Sequence, residues 1–284
     1  MENSSLKDFY QLPALDQNDY QQFSFGGGEN HFRLTSTPNR HITLLFRYQG
    51  DESMLQLLLL TDSLKRAGAV DIHLLLPYFP GARQDRVCNP GEPLSVKVYA
   101  SLINAQHYAS VTVFDPHSDV TPALLDRVKV VKNHAFVANV LDGLHGSITL
   151  VSPDAGANKK VFELSAYLGG LPVVRADKIR DVRDGKIIAT EVFADDLRGT
   201  TCVIVDDICA GGRTFIELAK KLKEKGAEKI VLIVSHYEGS ANEEILLKNG
   251  IDKVFCTDSL HSHRSDLVNV TAITPYLISQ GEVK

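Results

Sequence analysis

The sequence lacks the features that mark secreted, membrane-spanning and metal-clustered proteins. Only four cysteines occur among 284 residues, and none has Cys-x-x-Cys spacing, which argues against a zinc ribbon or a disulfide framework and favours reduced thiols. The opening MENSSLKDFY has no basic and then apolar signal-peptide pattern. The run LLLLTDSLKRAG is too short to span a bilayer, and charged residues follow closely after its four leucines. We therefore expect a cytoplasmic protein with no membrane partner.

Basic character is also lacking, because the net charge is -5 and no long basic run occurs. This balance argues against a nucleic-acid-binding surface, although it leaves room for a local phosphate site. The hydrophobic content of 44% over 284 residues suits two cores of ordinary size. The chain turns polar and glycine-containing near 141–147, so we predict domains over 1–143 and 144–284.

Apolar segments of strand and helix type alternate along the chain. We predict a strand over 41–48, a helix over 54–67 and a strand over 71–76, with irregular structure before about residue 18. A further helix is predicted to start at Pro93 or Leu94, with Val98 and Leu102 facing inward. Strand–helix–strand alternation implies right-handed crossovers and therefore a parallel α/β sheet.

The stretch VIVDDICAGGRTF at 203–215 has the strongest functional signal. Its apolar strand is predicted to end at Asp206 and Asp207, where vicinal hydroxyls could be bound. The small residues at 210–212 would let backbone N–H groups approach an anion, and Thr214 is predicted to cap the next helix. Together these features suit a sugar phosphate. The alternative is a plain strand-to-helix turn with solvated aspartates.

Two further loops follow predicted strands in the first half of the chain. PYFPGARQDR places arginines beside a Gln-Asp pair and after aromatic residues, which suits a nucleotide or, alternatively, a solvated charged loop. DPHSD places His117 between two aspartates at a strand end. That histidine is open to three interpretations: a metal ligand, a general acid or base, or a polar loop residue.

Three other segments complete the set. SPDAGANKK carries Asp154 after a predicted strand, and ADKIRD carries Lys178 and Arg180. Near the N-terminus, three glycines precede Glu29 in a segment that reads most simply as a hairpin tip.

The order of these motifs resembles that of the ribose-phosphate pyrophosphokinases, from about Phe23 to Ser259. PYFPGARQDR with GEPLSVKVYASLI is similar to the family's signature loop and helix, and DPHSD to its Asp-x-His segment. VSPDAGANK is similar to the pyrophosphate loop, ADKIRD to the catalytic Lys-Arg flap and VIVDDICAGGRT to the ribose-phosphate loop. Chance agreement of so many motifs in one order is remote, so the local alternatives lose most of their weight.

The resemblance implies a role for each matching residue. ATP contacts are implied for Glu29, Arg83, Gln84, Asp85 and Arg86, with Glu29 approaching the adenine side, in relatives often from a neighbouring subunit. Magnesium binding is implied for His117 and Asp154, and catalysis for Lys178, Arg180 and His117. Ribose-phosphate binding is implied for Asp206, Asp207, Ala210, Gly211, Gly212, Arg213 and Thr214.

The resemblance also implies a fold and a reaction. The fold would be two flavodoxin-like domains, of the type I phosphoribosyltransferase kind, with parallel sheets and the active site between them. The assembly would be a homo-oligomer, a dimer or a hexamer. With Mg²⁺ as cofactor and ATP as co-substrate, the anomeric hydroxyl of a 5-phosphorylated ribose would attack the β-phosphorus and AMP would leave. Such a transfer needs positioning and charge neutralisation more than a protein nucleophile.

The sequence departs from the family pattern in the loop after the acidic pair. The family usually reads close to Asp-Thr-Ala-Gly-Thr, whereas residues 210–214 here read AGGRT, with an added cation at Arg213. A more open loop with that cation suits a ribose whose 5-phosphate bears a further group, as in ADP-ribose, which some phage-encoded relatives use; the location would then be the host cytoplasm. Plain ribose 5-phosphate is the other acceptor. A phosphoribosyltransferase that uses PRPP and a non-catalytic regulatory paralogue remain as alternative functions.

Overall fold

The chain folds as mixed α/β structure with parallel sheets, which confirms the predicted fold class. The computed structural model describes residues 8–13, 19–180, 187–260 and 262–279, with backbone only at 178–180 and 187–189. Their packing divides them into two units, the first within Met1–Val131 and Leu277–Lys284 and the second within Lys132–Tyr276. None of the described helices has the length and apolar character needed to cross a membrane.

Unit 1 is built on a parallel sheet whose strands lie in chain order. The sheet order is β1-β4-β5-β6-β7, and β2 and β3 form a separate antiparallel hairpin. The elements are β1 (Phe9–Leu12), β2 (Tyr20–Ser24), β3 (Asn30–Leu34), β4 (His41–Phe46), α1 (Asp51–Arg66), β5 (Asp71–Leu76), α2 (Ser95–Asn104), β6 (Ser110–Phe114), α3 (Val120–Leu124) and β7 (Val128–Val131).

Two of the local predictions for unit 1 are wrong. The segment before residue 18 contains β1, which pairs with β4 and buries Tyr10 and Leu12 on alternate positions. In α2, Val98 and Leu102 are exposed, because the buried face of the helix consists of Val96, Ala100 and Ile103. Apolar spacing therefore located this helix but not its inward face, since both faces carry apolar residues.

Unit 2 is built on a sheet of seven strands in the order β10-β9-β8-β11-β12-β13-β14. Only β10 is antiparallel to its neighbour, β9. The elements are α4 (His134–Leu141), β8 (Ser147–Ser152), α5 (Asn158–Tyr167), β9 (Val173–Arg180), β10 (Ile187–Val192), β11 (Thr200–Cys209), α6 (Arg213–Glu224), β12 (Lys229–Tyr237), α7 (Glu243–Lys248), β13 (Lys253–Thr257), β14 (Val268–Thr271) and α8 (Thr274–Ser279), within which the division between the units falls.

Five neighbouring strands of this sheet, β9-β8-β11-β12-β13, have the flavodoxin-like order. From β8 the chain passes to β9 on one side and then returns to β11 on the other, so the direction of winding reverses between β8 and β11. In open α/β sheets a reversal of this kind opens a crevice at the carboxyl ends of the two strands, where ligands bind. The core beneath it includes Phe215, Leu218, Ala219 and Leu222 of α6, all buried as their spacing predicts.

The division between the units lies before α4, at Val131 and Lys132, whereas the sequence places the domain boundary between residues 143 and 144. Within unit 2, the Phe136 ring of α4 lies 6.2 Å from the Tyr276 ring, and Asn139 donates a 3.1 Å hydrogen bond to the Tyr276 hydroxyl. The polar segment after α4 is therefore a loop within unit 2 that leads to β8.

Candidate functional site

The acidic pair lies inside β11 rather than after it. The strand was predicted to end at the acidic pair, but its pairing with β12 continues from Asp206 opposite Val234 to Cys209 opposite Tyr237. The prediction was wrong because β12 extends to Tyr237, so the ladder continues past the apolar run. The two carboxylates are consequently held by strand backbone, with Asp207 buried and Asp206 half-buried.

The surroundings of Asp206 and Asp207 disfavour the ionisation of both carboxyl groups at once. Burial, the adjacent charge of Asp207, their mutual hydrogen bond and the charge of Asp154 raise the pKa of Asp206 well above its ordinary value, although the Asp207 N–H donates to its Oδ1 at 2.9 Å. Asp154 follows β8, so the carboxyl ends of β8 and β11 together concentrate negative charge at the reversal of strand order. A cation bound near these carboxyl groups, or hydroxyl groups that donate hydrogen bonds to them, would favour their ionised forms.

The loop after β11 presents a row of backbone donors. The N–H groups of residues 210–214 donate no hydrogen bond to any described residue, and α6 begins within this stretch, at Arg213. Gly212 is the N-cap, with a φ of 75°. Thr214 was predicted to be the cap, but it lies within the first turn, because the left-handed glycine starts the helix earlier. Open N–H groups at a helix N-terminus form an anion site.

Gly212 lies close to Leu246 of α7 and to the preceding Ala241, so a side chain there would require these neighbours to shift. A Cβ at this position would lie 3.0 Å from Leu246 Cδ2 and 3.3 Å from Ala241 Cβ. Gly211, by contrast, has nothing within 4 Å of the same position. The exposed Arg213 is the first residue of α6, beside this row of donors.

Asp154 is oriented by its own loop. The Ala157 N–H donates to Asp154 Oδ1 at 3.1 Å, and the Ser152 hydroxyl donates to the Asp154 carbonyl oxygen at 3.1 Å. These bonds hold the half-buried carboxylate at the carboxyl end of β8. The sequence-predicted position at a strand end is therefore correct.

Lys178 and Arg180 lie within the last three residues of β9. Their backbones pair with Thr190 and Ile187 of β10, respectively. Their side chains lie outside the described residues, and their catalytic roles stay predictions.

In unit 1, the arginine-rich loop follows β5. Arg83, Gln84 and Arg86 are exposed, whereas the Asp85 side chain is only 8% exposed and accepts a 3.1 Å hydrogen bond from Arg86 Nε. Burial raises the pKa of Asp85, but hydrogen bonds from Ser118 and Arg86, with the charges of Arg86 and His117, outweigh burial and leave that pKa below its ordinary value. Asp85 is thus an ionised internal anchor of the loop.

The same carboxylate joins the two loops of unit 1 for which a function was predicted. Ser118 and His117 stand in the loop after β6, and both act on Asp85 from that neighbouring strand end. The loop begins with Asp115, which is buried and has a φ of 38°, an uncommon conformation for a residue with a side chain. The predicted ATP loop and the predicted histidine loop therefore meet. Sequence reasoning missed Ser118, although it is the direct neighbour of His117.

Glu29 lies on the β2–β3 hairpin, as the interpretation of the glycines as a hairpin tip requires. Gly28 N–H donates to the Phe25 carbonyl at 2.8 Å, and Gly28 has a φ of 89°. The hairpin carries two exposed rings, Phe23 and Phe25, whose centroids lie 5.4 Å apart.

The donor atoms suit magnesium held mainly by substrate. Among the described residues no cluster of three His, Cys, Asp or Glu side chains is arranged to bind a metal. Magnesium usually takes one or two protein carboxylates, with phosphate oxygens and water completing its shell. In unit 2, Asp154 offers one fixed carboxylate of this kind at the carboxyl end of β8. In unit 1, His117 offers one imidazole in the loop after β6.

Known proteins match both parts of the chain. A family model described as the N-terminal domain of ribose phosphate pyrophosphokinase matches residues 24–106, and one described as the phosphoribosyl transferase domain matches residues 133–261. Ribose-phosphate pyrophosphokinase of Marinomonas sp. is 34% identical over 219 residues, which cover 74% of this chain and 67% of the relative. That of Hyphomonas neptunium is 31% identical over 262 residues, covering 88% and 79%.

The fold has a matching solved structure. Phosphoribosylpyrophosphate synthetase from Mycobacterium smegmatis aligns with a TM-score of 0.81 at 24% identity, covering 92% of this chain and 88% of that one. At this identity the likeness establishes the fold alone.

Proposed function

The chain belongs to the ribose-phosphate pyrophosphokinase family of enzymes, and from this premise we propose that it transfers the β,γ-diphosphoryl group of ATP to a 5-phosphorylated ribose. The oxygen of the anomeric hydroxyl forms a bond to the β-phosphorus. The bond from that phosphorus to the oxygen bridging it to the α-phosphorus breaks, and AMP leaves with the bridging oxygen. The hydroxyl proton passes to solvent or to a basic group of the site.

The observation that carries the proposal is the combination found at the end of β11. Two strand-held carboxylates precede five successive backbone N–H groups, at 210–214, that donate to no described residue. Carboxylates accept hydrogen bonds from vicinal hydroxyls, and N–H groups at a helix N-terminus bind phosphate. A ribose with a phosphate at carbon 5 presents both kinds of group on one molecule.

The nucleotide half of the site is assigned to unit 1. Arg83 and Arg86 supply cations for the polyphosphate, and Gln84 supplies amide donors and acceptors. Asp85 is turned inward and ionised, so its role is to hold the loop rather than to contact phosphate. Glu29 on the hairpin is assigned to the adenine side.

The chemistry requires charge stabilisation and alignment. Lys178 and Arg180 stabilise the charge that develops on the bridging oxygen of AMP, an effect that belongs to the transition state. Asp206 and Asp207 orient the ribose so that its anomeric oxygen points at the β-phosphorus. Asp154 of unit 2 and His117 of unit 1 are the residues that we assign to Mg²⁺, which when bound would neutralise charge on the polyphosphate. We assign the active form to a homo-oligomer, since family members often complete the adenine site with a neighbouring subunit.

Our preference between the two acceptor substrates is based on Arg213, the residue that starts α6. Arg213 is exposed beside the open N–H groups and makes no ion pair with a described residue, so its guanidinium is available to a second phosphate. This favours ADP-ribose, whose 5-phosphate continues into a diphosphate, and the product would be ADP-ribose pyrophosphate for NAD synthesis. Ribose 5-phosphate, giving PRPP, is the second acceptor, since one arginine also suits a single phosphate.

A direct assay tests the reaction and names the acceptor. Purified protein is incubated with Mg²⁺, ATP and either ribose 5-phosphate or ADP-ribose, and AMP is followed by chromatography. We expect AMP to form only when an acceptor is present, and faster with ADP-ribose. An Arg213→Ala variant should lose more activity with ADP-ribose than with ribose 5-phosphate. No AMP with either acceptor overturns the proposal.

The same experiment separates the two alternative functions. A phosphoribosyltransferase would release diphosphate from PRPP without ATP, and it would have no use for the arginine loop of unit 1. A regulatory paralogue would bind nucleotide without turnover. The match of residues 24–106 to the N-terminal pyrophosphokinase domain speaks against the first.

A further inference from the structure

The first turn of α1, formed by Asp51 and Glu52, touches both elements of unit 1 that are assigned to ATP. The helix begins at Asp51, after Gly50, and neither carboxylate belongs to the predicted site. The Asp51 carboxylate contacts tyrosines near the arginine loop, and the Glu52 carboxylate contacts the β2–β3 hairpin.

Asp51 accepts two tyrosine hydroxyls on one oxygen. The Tyr48 hydroxyl donates to Asp51 Oδ1 at 2.7 Å, and the Tyr99 hydroxyl, from α2, donates to the same atom. The Tyr48 ring lies 6.2 Å from the Tyr99 ring and 6.3 Å from the Tyr78 ring. Hydrogen bonds from Tyr99 and Tyr48 lower the pKa of Asp51, so the carboxylate is ionised and its bonds to the hydroxyls are charge-assisted.

Tyr99 in turn supports the turn from which the arginine loop emerges. A Cβ at Gly81 would lie 2.7 Å from Tyr99 Cδ2, which places the ring directly against the loop backbone. Gly81 has a φ of 71°, and its carbonyl accepts a 2.9 Å hydrogen bond from the Gln84 N–H. The position of Gln84 and its arginine neighbours therefore depends on where the Tyr99 ring stands.

Glu52 makes the second connection. Asn30 Nδ2 donates to Glu52 Oε1 at 2.9 Å, and the Ser24 hydroxyl donates to Asn30 Oδ1 at 3.0 Å. Asn30 directly follows Glu29, so this chain of bonds sets the base of the hairpin tip relative to α1.

We propose that Asp51 and Glu52 are positioning residues for ATP: Asp51 holds the arginine loop through Tyr99, and Glu52 holds the Glu29 hairpin through Asn30. The inference rests on the proposed function in so far as the nucleotide is ATP. Neither carboxylate touches the nucleotide; each fixes an element that does. Loss of either one leaves the acceptor half-site in unit 2 unaltered.

The test measures ATP and acceptor parameters separately. Asp51→Ala should raise the KM for ATP about tenfold, the factor that corresponds to one hydrogen bond to a charged group, with kcat and the acceptor KM within about twofold. Asp51→Asn should restore most of the affinity, because its amide oxygen still accepts the tyrosine hydroxyls. Glu52→Ala should raise the same KM about threefold, because its bond is exposed, and Glu52→Gln should restore it.

Two further variants guard against a purely structural effect. Tyr99→Phe keeps the ring and removes only the hydroxyl, so it should act like Asp51→Ala, and the double variant should be no worse than either one. Asp62→Ala is the matched control, because Asp62 is exposed on the same helix and its carboxylate pairs with Arg66 of that helix, at 2.7 Å. The control should bind ATP like wild type.

The outcomes distinguish this inference from the proposed function. Affinity for α,β-methylene ATP, measured by calorimetry, reports nucleotide binding even if no acceptor is turned over. A wild-type protein that binds this analogue without forming AMP would end the proposed function and leave the inference testable. Wild-type ATP affinity in Asp51→Ala and Tyr99→Phe, or an equal rise in the acceptor KM, would overturn the inference.

Discussion

Unit 1 and unit 2 both place polar loops at the carboxyl ends of parallel strands, but they hold their charges differently. In unit 1 the inward carboxylate Asp85 is paired with Arg86, and its pKa is lowered. In unit 2 burial and the neighbouring carboxylates raise the pKa of Asp206, and the adjacent loop leaves its N–H groups without described acceptors. The charge of Asp85 is balanced by described neighbours, whereas the N–H groups of residues 210–214 donate to no described residue.

Strand order gives a physical reason for this difference. The sheet of unit 1 runs in chain order, so no reversal opens a crevice between its strands, and its ligand groups stand on loops. The sheet of unit 2 reverses between β8 and β11, so carboxylates fixed by strand backbone converge on one crevice. We infer that unit 1 recognises its ligand with flexible cations and unit 2 with rigid dipoles and acids.

The largest expected effect concerns the residue assigned to the transition state. Lys178→Ala should lower kcat about 10²–10³-fold, the range for losing a group that stabilises developing charge, while ATP affinity survives. Turnover kinetics measures the loss in kcat, and calorimetric binding of α,β-methylene ATP measures the nucleotide affinity. Equal losses in kcat and in nucleotide affinity would place Lys178 in ground-state binding instead.

A reciprocal pair of substitutions tests the division of labour between the units. Asp207→Ala should raise the acceptor KM about 10–100-fold with little change in the ATP KM, because a charged acceptor for ribose hydroxyls is lost. Arg86→Ala should raise the ATP KM by a similar factor and spare the acceptor. Steady-state kinetics with one substrate varied at a time measures both.

If either substitution moved both KM values equally, the assignment of one ligand to each unit would be wrong. Asp62→Ala, an exposed position on α1, serves as a control for general effects of removing a carboxylate.

Gly212 and Gly211 form a matched pair within the row of open donors. Gly212→Ala should destabilise the fold by about 1–3 kcal/mol and weaken acceptor binding, because the new methyl would meet Leu246 at 3.0 Å and the φ of 75° strains any side chain. Gly211→Ala, with nothing within 4 Å, should cost less than about 1 kcal/mol. Urea unfolding measures the difference, and equal effects would mean that Gly212 is not needed for the turn.

The smallest expected effect is on how the free energy of unfolding depends on pH. Because the folded-state pKa of Asp206 is raised above 3.8, the folded protein binds more protons than the unfolded chain between those two pKa values, and the free energy of unfolding falls as pH rises through that window. Asp206→Asn removes this fall and should stabilise the protein at neutral pH by about 0.5–2 kcal/mol, although it weakens acceptor binding. Identical pH dependence in the variant, measured without Mg²⁺, would contradict the interpretation.

The sequence was most informative where a local pattern decides the structure. The strand over Asp71–Leu76 and the buried face of α6 follow from apolar spacing alone, and the order of motifs led to the correct family. The reach of β11 to Cys209 could not be predicted, because it depends on pairing with β12, which is distant in sequence. Strand β1 was missed for the same reason, since four residues carry too little periodicity without their partner β4.

The contacts of Asp51 could not be predicted from the sequence. Asp51 has no motif of its own, and its bond to Tyr99 depends on how α1 and α2 pack beside Gly81. Thr214 had the residue type of a helix cap, but the left-handed conformation of Gly212 starts α6 without one.

The central claim is that ATP is cleaved between its α- and β-phosphorus and that the diphosphoryl group moves intact to the ribose. The most direct measurement follows ATP labelled with ³²P at the β-position, in the presence of Mg²⁺ and either ADP-ribose or ribose 5-phosphate. We predict that all transferred label joins the sugar product and that the AMP formed is unlabelled. Label recovered in ADP, or in free diphosphate without a labelled sugar, would contradict it.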